Sequence, residues 1–371
     1  MKNWFATSAV LTVAGAVVLT RTARRGALEK VFADDDFQIT GVAVSKQNRL
    51  FVNYPRWSDL YLNAVAEVLP DGSTRAFPDE RWNGWDRKPH TAGVHFVCVQ
   101  SVFADEQDAL WVLDPAAPML ASPVPNGVKL VKIDLRTDRV VQVIGFGTDV
   151  VRPDSYLNDV RIDLKSQTAY ITDSGAGGIV VVDLTSGHAR RTLDGHRSVM
   201  AEDGVEIAIN GRPVRDAQGQ PPRFNSDGIA LSRDGSWLYY QPITATAMYR
   251  VRTEVLRDAN ASAATVGAAV ERYADTFPVD GLWIDAQDRI YLTDITHTAV
   301  SRLLPDRTIE RLIFDSRLQW PDTFAEGPDG AMYVTTSHIN HSATYNHGKS
   351  TRKRPYGVFR FRPGVRRGRS A

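Results

Sequence analysis

Acidic and amide side chains recur in this sequence at matching points of a repeated pattern. One set stands at the start of a short apolar run: Thr40, Gln100, Asn158 with Asp159, Asp227, Asp280 and Asp322. A second set stands at the end of the run that follows: Asn53, Asp114, Asp173, Gln241, Asp294 and Ser337 with His338. Carboxylates brought close together repel each other, so either a cation neutralises them or at least one keeps a raised pKa. A carboxyl group with a raised pKa can act as a general acid or base, and Asp280 is the first candidate for this catalytic role, followed by Asp227.

A bound cation is the other way to neutralise such a cluster. Hard oxygen donors suit Ca²⁺ or another hard divalent cation such as Mg²⁺ better than Zn²⁺. The remaining polar groups are then candidate ligand-binding residues: Asn158, Asp159, Asp173, Gln241, Asp294, Asp322 and His338. The spacing of His338, His341 and His347 matches no zinc motif, so a histidine-based zinc site is not indicated.

These side chains belong to six copies of one hairpin pattern. Each copy has a run of alternating apolar residues, a short turn with Asp, Asn or Gly, and a second β-rich run. Copies spaced about 40 to 70 residues apart are typical of propeller blades. Further strands, such as those at 130–134 and 178–183, bring the number to the usual four per blade. We therefore predict an all-β fold, a six-bladed β-propeller with four-stranded antiparallel blades over residues 36–363. The last strand, Tyr356–Phe361, is expected to complete the first or last blade and close the ring.

Closure of the ring is what would make the polar side chains neighbours. In a propeller the innermost strand of each blade starts at one mouth of the ring, and the second strand returns to the same mouth. Both polar sets are therefore expected to line one axial pocket. A structural alternative stands beside this one, because Asp before Gly often caps a turn through its own backbone, as Asp227-Gly228 and Asp280-Gly281 could do.

Other reaction classes lack their motifs. The sequence has no nucleophile elbow, no Gly-rich phosphate loop after a strand and no Ser/His/Asp signature. Cys98 is the only cysteine, which excludes an internal disulfide, and its apolar neighbours predict a small buried side chain. His297 is a candidate for the rim of the pocket, while Tyr54 and Trp57 are candidates for an aromatic wall facing a flat or cationic ligand.

Charge limits the choice of partner. The chain has 44 basic and 43 acidic side chains, so no basic field indicates nucleic acid. We expect a small-molecule ligand, no nucleic-acid partner, contact with a membrane only through an N-terminal anchor, and a monomer.

The N-terminus stands apart from the repeat. Lys2 precedes an apolar stretch from Trp4 to Leu19, and Ala14-Gly15-Ala16 offers a cleavage site of the small-x-small type. Left uncleaved, the stretch is slightly short for a spanning helix, and the three arginines after it favour cytoplasmic retention. We favour export and predict a signal peptide or N-terminal membrane anchor over 1–25, a basic tail over 364–371, and a secreted or periplasmic location.

Several segments resemble the major royal jelly and yellow protein family: Gly41–Ser45 with Leu50–Trp57, Tyr156–Val160, Ser226–Ser232 and Trp320–Asp322. This resemblance implies a six-bladed propeller that is mostly secreted. Insect members of the family include proteins that convert dopachrome and salivary proteins that bind biogenic amines.

The sequence is also similar, more distantly, to the gluconolactonase and regucalcin propellers, which hold a divalent cation on the axis. That resemblance places metal ligands on Asn158 or Asp159, on Asp227 and on Asp280. The glutamate of their first blade falls on Thr40, which removes one charged ligand.

The function expected is therefore a small-molecule-binding propeller of the yellow type, with or without isomerase activity on an aromatic or amine-derived substrate. The alternative is a divalent-metal-dependent lactonase. A propeller that serves only as a platform for protein interactions is a third possibility. The missing glutamate favours the first over the second, and the polar residues at the start of several repeats favour both over the third.

Overall fold

The computed structural model describes residues 28–364. The predicted signal peptide or anchor over 1–25 and the arginines of the predicted basic tail lie outside the described residues. Strand β1 (Glu29–Asp34) comes first, before the predicted start of the propeller at residue 36. Within the described range, no helix has the length and apolar character needed to cross a bilayer.

Six sheets of four antiparallel strands follow, in chain order, as the repeat predicts. Blade one contains β2 (Val42–Val44), β3 (Leu50–Asn53), β4 (Val65–Val68) and β5 (Thr74–Ala76). Blade two contains β6 (Ser101–Ala104), β7 (Ala109–Asp114), β8 (Lys129–Asp134) and β9 (Arg139–Gly145). Blade three contains β10 (Leu157–Asp163), β11 (Thr168–Asp173), β12 (Ile179–Asp183) and β13 (Ala189–Thr192). The short hairpin β14 (Ala208–Ile209) and β15 (Arg212–Pro213) interrupts the series.

The remaining blades complete the ring. Blade four contains β16 (Ser226–Leu231), β17 (Trp237–Pro242), β18 (Ala247–Arg252) and β19 (Glu271–Asp275). Blade five contains β20 (Val279–Ile284), β21 (Ile290–Asp294), β22 (Ala299–Leu303) and β23 (Ile309–Phe314). Blade six contains β24 (Pro321–Glu326), β25 (Met332–Thr336) and β26 (Tyr356–Phe361), with β1 as its fourth strand. The six-bladed, all-β prediction is confirmed.

The ring closes through the two ends of the described chain. Strand β26 lies third in the last blade, and β1 pairs with it in antiparallel fashion, from Glu29 opposite Arg360 to Asp34 opposite Tyr356. The prediction that Tyr356–Phe361 takes part in closure is confirmed. The sequence pattern did not predict the N-terminal strand that completes the sheet.

Burial follows the position of each strand in its blade. All seven residues of β10 and all six of β11 are buried, because an inner strand has a neighbouring blade on each face. Outer strand β9 instead alternates between exposed and less exposed residues, as a strand with one solvated face does. The core therefore lies between adjacent blades and surrounds the axis.

Helices are few and short among the described residues. The α-helices are α1 (Glu80–Asn83), α2 (Thr253–Arg257) and α3 (Ala263–Ala268). The 3₁₀ turns are Pro89–Val94, Pro118–Leu120, Arg197–Val199, Ile339–His341 and Ala343–Tyr345. The predicted insertion at 196–224 carries the hairpin β14–β15 and joins blade three to blade four.

Candidate functional site

Four consecutive blades share one irregularity at the start of the inner strand. In β10, β16, β20 and β24 the pairing with the second strand shifts by one residue, which is the signature of a β-bulge. In blade three, for example, Leu157 lies opposite Asp173, whereas Val160 already lies opposite Ile171. A bulge changes the direction of the side chain that it carries. These bulges contain the four predicted carboxylates: Asp159, Asp227, Asp280 and Asp322.

The glycines after two of these aspartates allow neighbouring blades to approach closely. A Cβ atom on Gly228 would lie 2.3 Å from the backbone oxygen of Asp280, and one on Gly281 would lie 2.0 Å from that of Asp322. Both Asp-Gly pairs therefore lie in strands that touch the next blade, and a turn does not explain them. The glycines bring the bulges of blades four, five and six together.

The four carboxyl groups are buried next to one another. Their residues are 3 to 6 % exposed. Burial raises the pKa of Asp159 above its ordinary value, although the nearby Arg161 opposes the shift. Burial raises the pKa of Asp280 to about 7. Burial, together with the charge of Asp280, raises the pKa values of Asp227 and Asp322 well above the ordinary range.

Asp227 and Asp280 form a hydrogen-bonded pair. The hydrogen bond raises the pKa of Asp227 and lowers that of Asp280, so Asp227 carries the proton and donates while Asp280 accepts. The indole Nε1 of Trp320, a fully buried residue, donates a second hydrogen bond of 2.6 Å to Asp280 Oδ2. Asp280 is thus held as the acceptor of two donors, and its pKa lies where a general base works best.

The other two carboxyl groups accept hydrogen bonds from hydroxyl groups. Ser101 Oγ of blade two donates to Asp159 Oδ1 over 2.9 Å. Asp322 Oδ1 accepts a hydrogen bond of 3.0 Å from Thr323 Oγ1. A hydroxyl hydrogen bond from Ser337 also favours ionisation of Asp322 and so opposes the rise in its pKa.

A single basic side chain within the described range forms an ion pair with this cluster. Arg161 Nη2 lies 3.8 Å from Asp159 Oδ2. The guanidinium also donates to the backbone oxygens of Val160 and Leu282, each at 2.7 Å, and so links blade three to blade five across the axis. The cluster therefore contains four carboxyl groups and one buried cation, so its acidic groups exceed its basic ones and can pair with a second positive charge.

The predicted residues that end the second strands form hydrogen bonds and ion pairs with nearby protein groups. Asp173 accepts hydrogen bonds from the backbone amides of Tyr156 (2.8 Å) and Ala176 (3.1 Å), and it pairs with Arg191 at 2.7 Å. Asp294 accepts from Thr296 Oγ1 at 2.8 Å and pairs with His297 at 2.8 Å. Each side chain is fully buried and fixes the loop that follows its strand.

Gln241 also forms hydrogen bonds with loop groups, in blade four. Its Nε2 donates to the backbone oxygen of Phe277 over 2.8 Å, and its Oε1 accepts from Thr276 Oγ1 over 2.8 Å. Loop groups therefore contact the polar atoms of Asp173, Gln241 and Asp294, and the expectation that these residues bind the ligand remains a prediction.

Some predicted residues do retain free polar groups. Asn158 is 5 % exposed, and its side chain forms no hydrogen bond with another described residue. His338 is buried against Tyr356 at a ring distance of 5.2 Å, and burial lowers its pKa to about 4, so the ring is neutral at pH 7. Buried polar atoms without a protein partner within the described range include His338 Nδ1, Ser226 Oγ and Asn53 Oδ1. Such atoms require water or a ligand.

The insertion between blades three and four covers this mouth. Its hairpin residues Ile207 and Ile209 pack in one apolar cluster with Ile295 and Trp320, the tryptophan that binds Asp280. Asn210 also donates its backbone amide to the oxygen of Thr296 over 2.9 Å. The insertion therefore lies over the carboxylate side of the ring.

Sequence reasoning missed several members of the site. Hydrogen bonds join Trp320 and Ser101 to aspartates of other repeats, and an ion pair joins Arg161 to an aspartate of its own strand. No local spacing in the sequence predicts these contacts. A weaker signal was available in the pairs Thr172-Asp173 and Thr293-Asp294. Thr293 Oγ1 accepts from the backbone amides of Asp280 (3.1 Å) and Gly281 (2.8 Å), so this repeated threonine holds the bulge.

The side chains of this mouth do not form a complete site for a divalent cation. Among residues 28–364 no group of three or more His, Cys, Asp or Glu side chains could hold a metal ion. The hydrogen bond between Asp227 and Asp280 also requires one of the two carboxyl groups to stay protonated, whereas both would be ionised if they bound one cation. As they stand, these side chains do not fit Ca²⁺, which takes six to eight oxygen ligands. The metal set Asn158, Asp227 and Asp280 remains a sequence prediction.

Solved structures share the fold at low sequence identity. A calcium-binding protein, regucalcin, from Agrobacterium tumefaciens is 14% identical with a TM-score of 0.54, and the match covers 92% of this chain and 95% of that one. A gluconolactonase from Xanthomonas campestris is 12% identical with a TM-score of 0.55, and the match covers 92% of both chains. At these identities the likeness concerns the fold alone.

The sequence relatives of the chain include insect proteins. Protein yellow of Drosophila subobscura is 25% identical over 232 residues, which cover 57% of this chain and 38% of the relative. The match to protein yellow of Drosophila melanogaster has the same identity and covers 40% of that protein. This chain thus spans about two fifths of the length of these curated relatives. The family model described as major royal jelly protein matches residues 97–346. The chain therefore belongs to the major royal jelly protein family.

Proposed function

We propose that the acidic mouth of this propeller binds a small aromatic amine and that the protein acts outside the cytoplasm. The observation that carries the proposal is the cluster of four buried carboxyl groups with Arg161 as its cation. Proteins named yellow are among the relatives of the chain.

The electrostatics favour a cationic ligand. Each of the four carboxyl groups has a raised pKa because burial disfavours its charged form. An ammonium group beside them would restore the ionised state and replace the lost hydration. Binding therefore strengthens as the pH rises towards 7, where Asp280 ionises. The hydroxyl group of Ser226, which has no partner among the described residues, would supply a further hydrogen bond to such a ligand.

We further propose that the Asp227–Asp280 pair can isomerise a conjugated amine derivative. Ionised Asp280 would take a proton from one carbon of the substrate while the electron pair moves into the conjugated system. The same proton, or the one held by Asp227, would then be returned to a second position. Substrate and product have the same composition, so no oxidant or co-reactant is needed.

The binding proposal is tested by calorimetric titration with tryptamine and dopamine. Asp280→Asn and Asp227→Asn replace a carboxyl group by an amide of nearly equal volume, and each should weaken binding by about tenfold or more because one charge-assisted contact to the ammonium group is worth about 1.5 to 3 kcal/mol. The matched control is Asp288→Asn, the same substitution at an exposed turn of blade five. Equal affinity in wild type and both mouth variants contradicts the proposal, and so does equal binding of a neutral indole.

The isomerase proposal is tested separately. The absorbance of an aminochrome, the cyclised quinone of a catecholamine, should fall faster with the protein than without it, and its rate should rise with pH up to about 7. Asp280→Asn should abolish this acceleration. A rate that stays the same in Asp280→Asn would leave amine binding as the sole function of the mouth.

Location and assembly are also proposals. We infer that residues 1–25 direct export and that the propeller works as a monomer. Fractionation of cells that express the full chain, with light scattering on the purified protein, tests both. Recovery in the cytoplasm would contradict the first, and a stable dimer would contradict the second.

A further inference from the structure

A cavity of about 400 Å³ opens at the other mouth of the ring. It is formed by the last residues of the inner strands and by the turns that follow them, and these include Phe103, Arg161, Trp283 and Glu326. Asp159 and Arg161 stand two residues apart on β10, a rise of about 6 to 7 Å along the strand. Arg161 therefore separates the acidic mouth from this cavity, which has the size of a small-molecule site.

The inner end of the cavity is aromatic and cationic. The rings of Phe103 and Trp283 lie 6.1 Å apart. The guanidinium carbon of Arg161 lies 5.6 Å from the first ring and 5.7 Å from the second, within range of a cation–π interaction. Guanidinium has five N–H donors, of which two bind the backbone oxygens of Val160 and Leu282. Further donors remain for a ligand.

Three aspartates line the cavity but direct their oxygens into their own turns. They accept the following hydrogen bonds: Asp105 from the indole of Trp111 (2.8 Å), Asp163 from the hydroxyl of Ser166 (2.6 Å), and Asp234 from the hydroxyls of Ser232 (2.6 Å) and Ser236 (2.7 Å). Their oxygens are therefore engaged by these donors, while each carboxylate keeps its negative charge.

The other charged groups that line the cavity are mostly basic. Two glutamates, Glu106 and Glu326, face four cations: Lys46, Arg161, Lys165 and Arg233. Arg233 lies 3.5 Å from Glu106 and 3.9 Å from Glu326, so it reaches from blade four towards blades two and six across the opening. Neither lysine ammonium forms an ion pair within the described residues. Counting the three aspartates, five acidic and four basic side chains line the cavity, and Arg161 and Arg233 are the two guanidinium groups among them.

We propose that this cavity is a second binding site, for a planar carboxylate. Its carboxylate would bind the guanidinium groups of Arg161 and Arg233, and its conjugated ring would pack against Phe103 and Trp283. A guanidinium fork matches a carboxylate in geometry, and the aromatic side chains match a flat apolar body. The two sites are distinct but share Arg161, which also pairs with Asp159 of the acidic mouth, whereas Arg233 belongs to this cavity.

The test is calorimetric titration of the full chain with indole-3-acetate, with neutral indole-3-acetamide for comparison. The carboxylate should bind at least tenfold more tightly than the amide. Arg233→Gln should weaken carboxylate binding about tenfold and leave tryptamine binding unchanged. Arg139→Gln, a charge-matched change at an exposed residue of β9, should alter neither. Arg233 is exposed, so its variant is expected to fold.

Hydrogen exchange supplies a second measurement. Bound indole-3-acetate should slow exchange in residues 103–106, 161–165 and 231–235, which line the cavity. Absence of binding at millimolar concentration overturns the proposal, as does equal affinity in Arg233→Gln. Loss of indole-3-acetate binding in Asp280→Asn alone would also overturn it, because the ligand would then occupy the acidic mouth. Failure of tryptamine to bind would affect the amine proposal only.

Discussion

At the scale of single residues, burial changes what a carboxyl group can do. Asp280 is 5 % exposed, and its pKa of about 7 lies far above that of an exposed aspartate because the charged form has lost its water. Donors from Asp227 and Trp320 hold that form in place. The same burial that destabilises the carboxylate makes it a competent base near neutral pH.

Asp280→Asn should change the pH dependence of stability. A carboxyl group whose pKa is raised in the folded protein stabilises it below the unfolded pKa of 3.8, and this contribution is lost as pH rises through about 7. The free energy of unfolding should therefore fall between pH 4 and 7 in wild type, and less steeply in the variant. Urea unfolding at several pH values measures this, with Asp288→Asn as the control. Parallel curves for wild type and Asp280→Asn would refute the shift.

The buried ion pair of blade two supports a second prediction. Lys129 is 1 % exposed, lies 2.8 Å from Asp114 and also donates to the backbone oxygens of Ala92 and Gly127. Lys129→Met leaves Asp114 buried without its cation, which should cost about 3 to 5 kcal/mol in the free energy of unfolding. Lys132→Met, on the same strand, is the control. Similar urea midpoints for both variants would show that the ion pair between Lys129 and Asp114 does not stabilise the fold.

At the scale of elements, the β-bulges of the inner strands bring the carboxyl groups of successive repeats together in one site. Strands β10, β16, β20 and β24 each place one extra residue at the same point, and threonines of the second strands hold the bulge backbone in blades three, five and six. The sequence predicted where Asp159 and Asp280 stand, because polar residues at the start of an apolar run are visible. It could not predict the loop contacts of Asp173 or Gln241, because their partners lie in loops that only the fold brings near.

Gly281→Ala tests the close approach of the bulges. The new Cβ would lie 2.0 Å from the backbone oxygen of Asp322, so blades five and six must move apart. Overpacking of this kind costs about 1 to 3 kcal/mol, and the urea midpoint should fall accordingly. The control is Gly145→Ala, where a Cβ has no atom within 4 Å. If the two variants unfold at the same urea concentration, the contact is not tight.

At the scale of the whole molecule, closure of the ring depends on a strand pairing that no local sequence pattern predicts. Strand β1 has its partner β26 more than 300 residues away, and its short mixed sequence gave no strand signal of its own. Phe32 of this strand is 7 % exposed and packs in a cluster with residues of blades six and one, among them Tyr333, Tyr356 and Val42. The join therefore secures the geometry of both mouths.

Phe32→Ala is predicted to weaken closure of the ring. Removal of a buried phenylalanine side chain costs about 3 to 5 kcal/mol, and here the loss falls at the only seam where strands from the two ends of the described chain meet. Amide exchange should increase first in β1 and β26 and less in blade three. Phe314→Ala, the same change at a 53 % exposed residue ending β23, should leave stability and exchange nearly unchanged. Exchange that rises evenly in all six blades would instead show that the ring opens as one unit, with no weak seam between its ends.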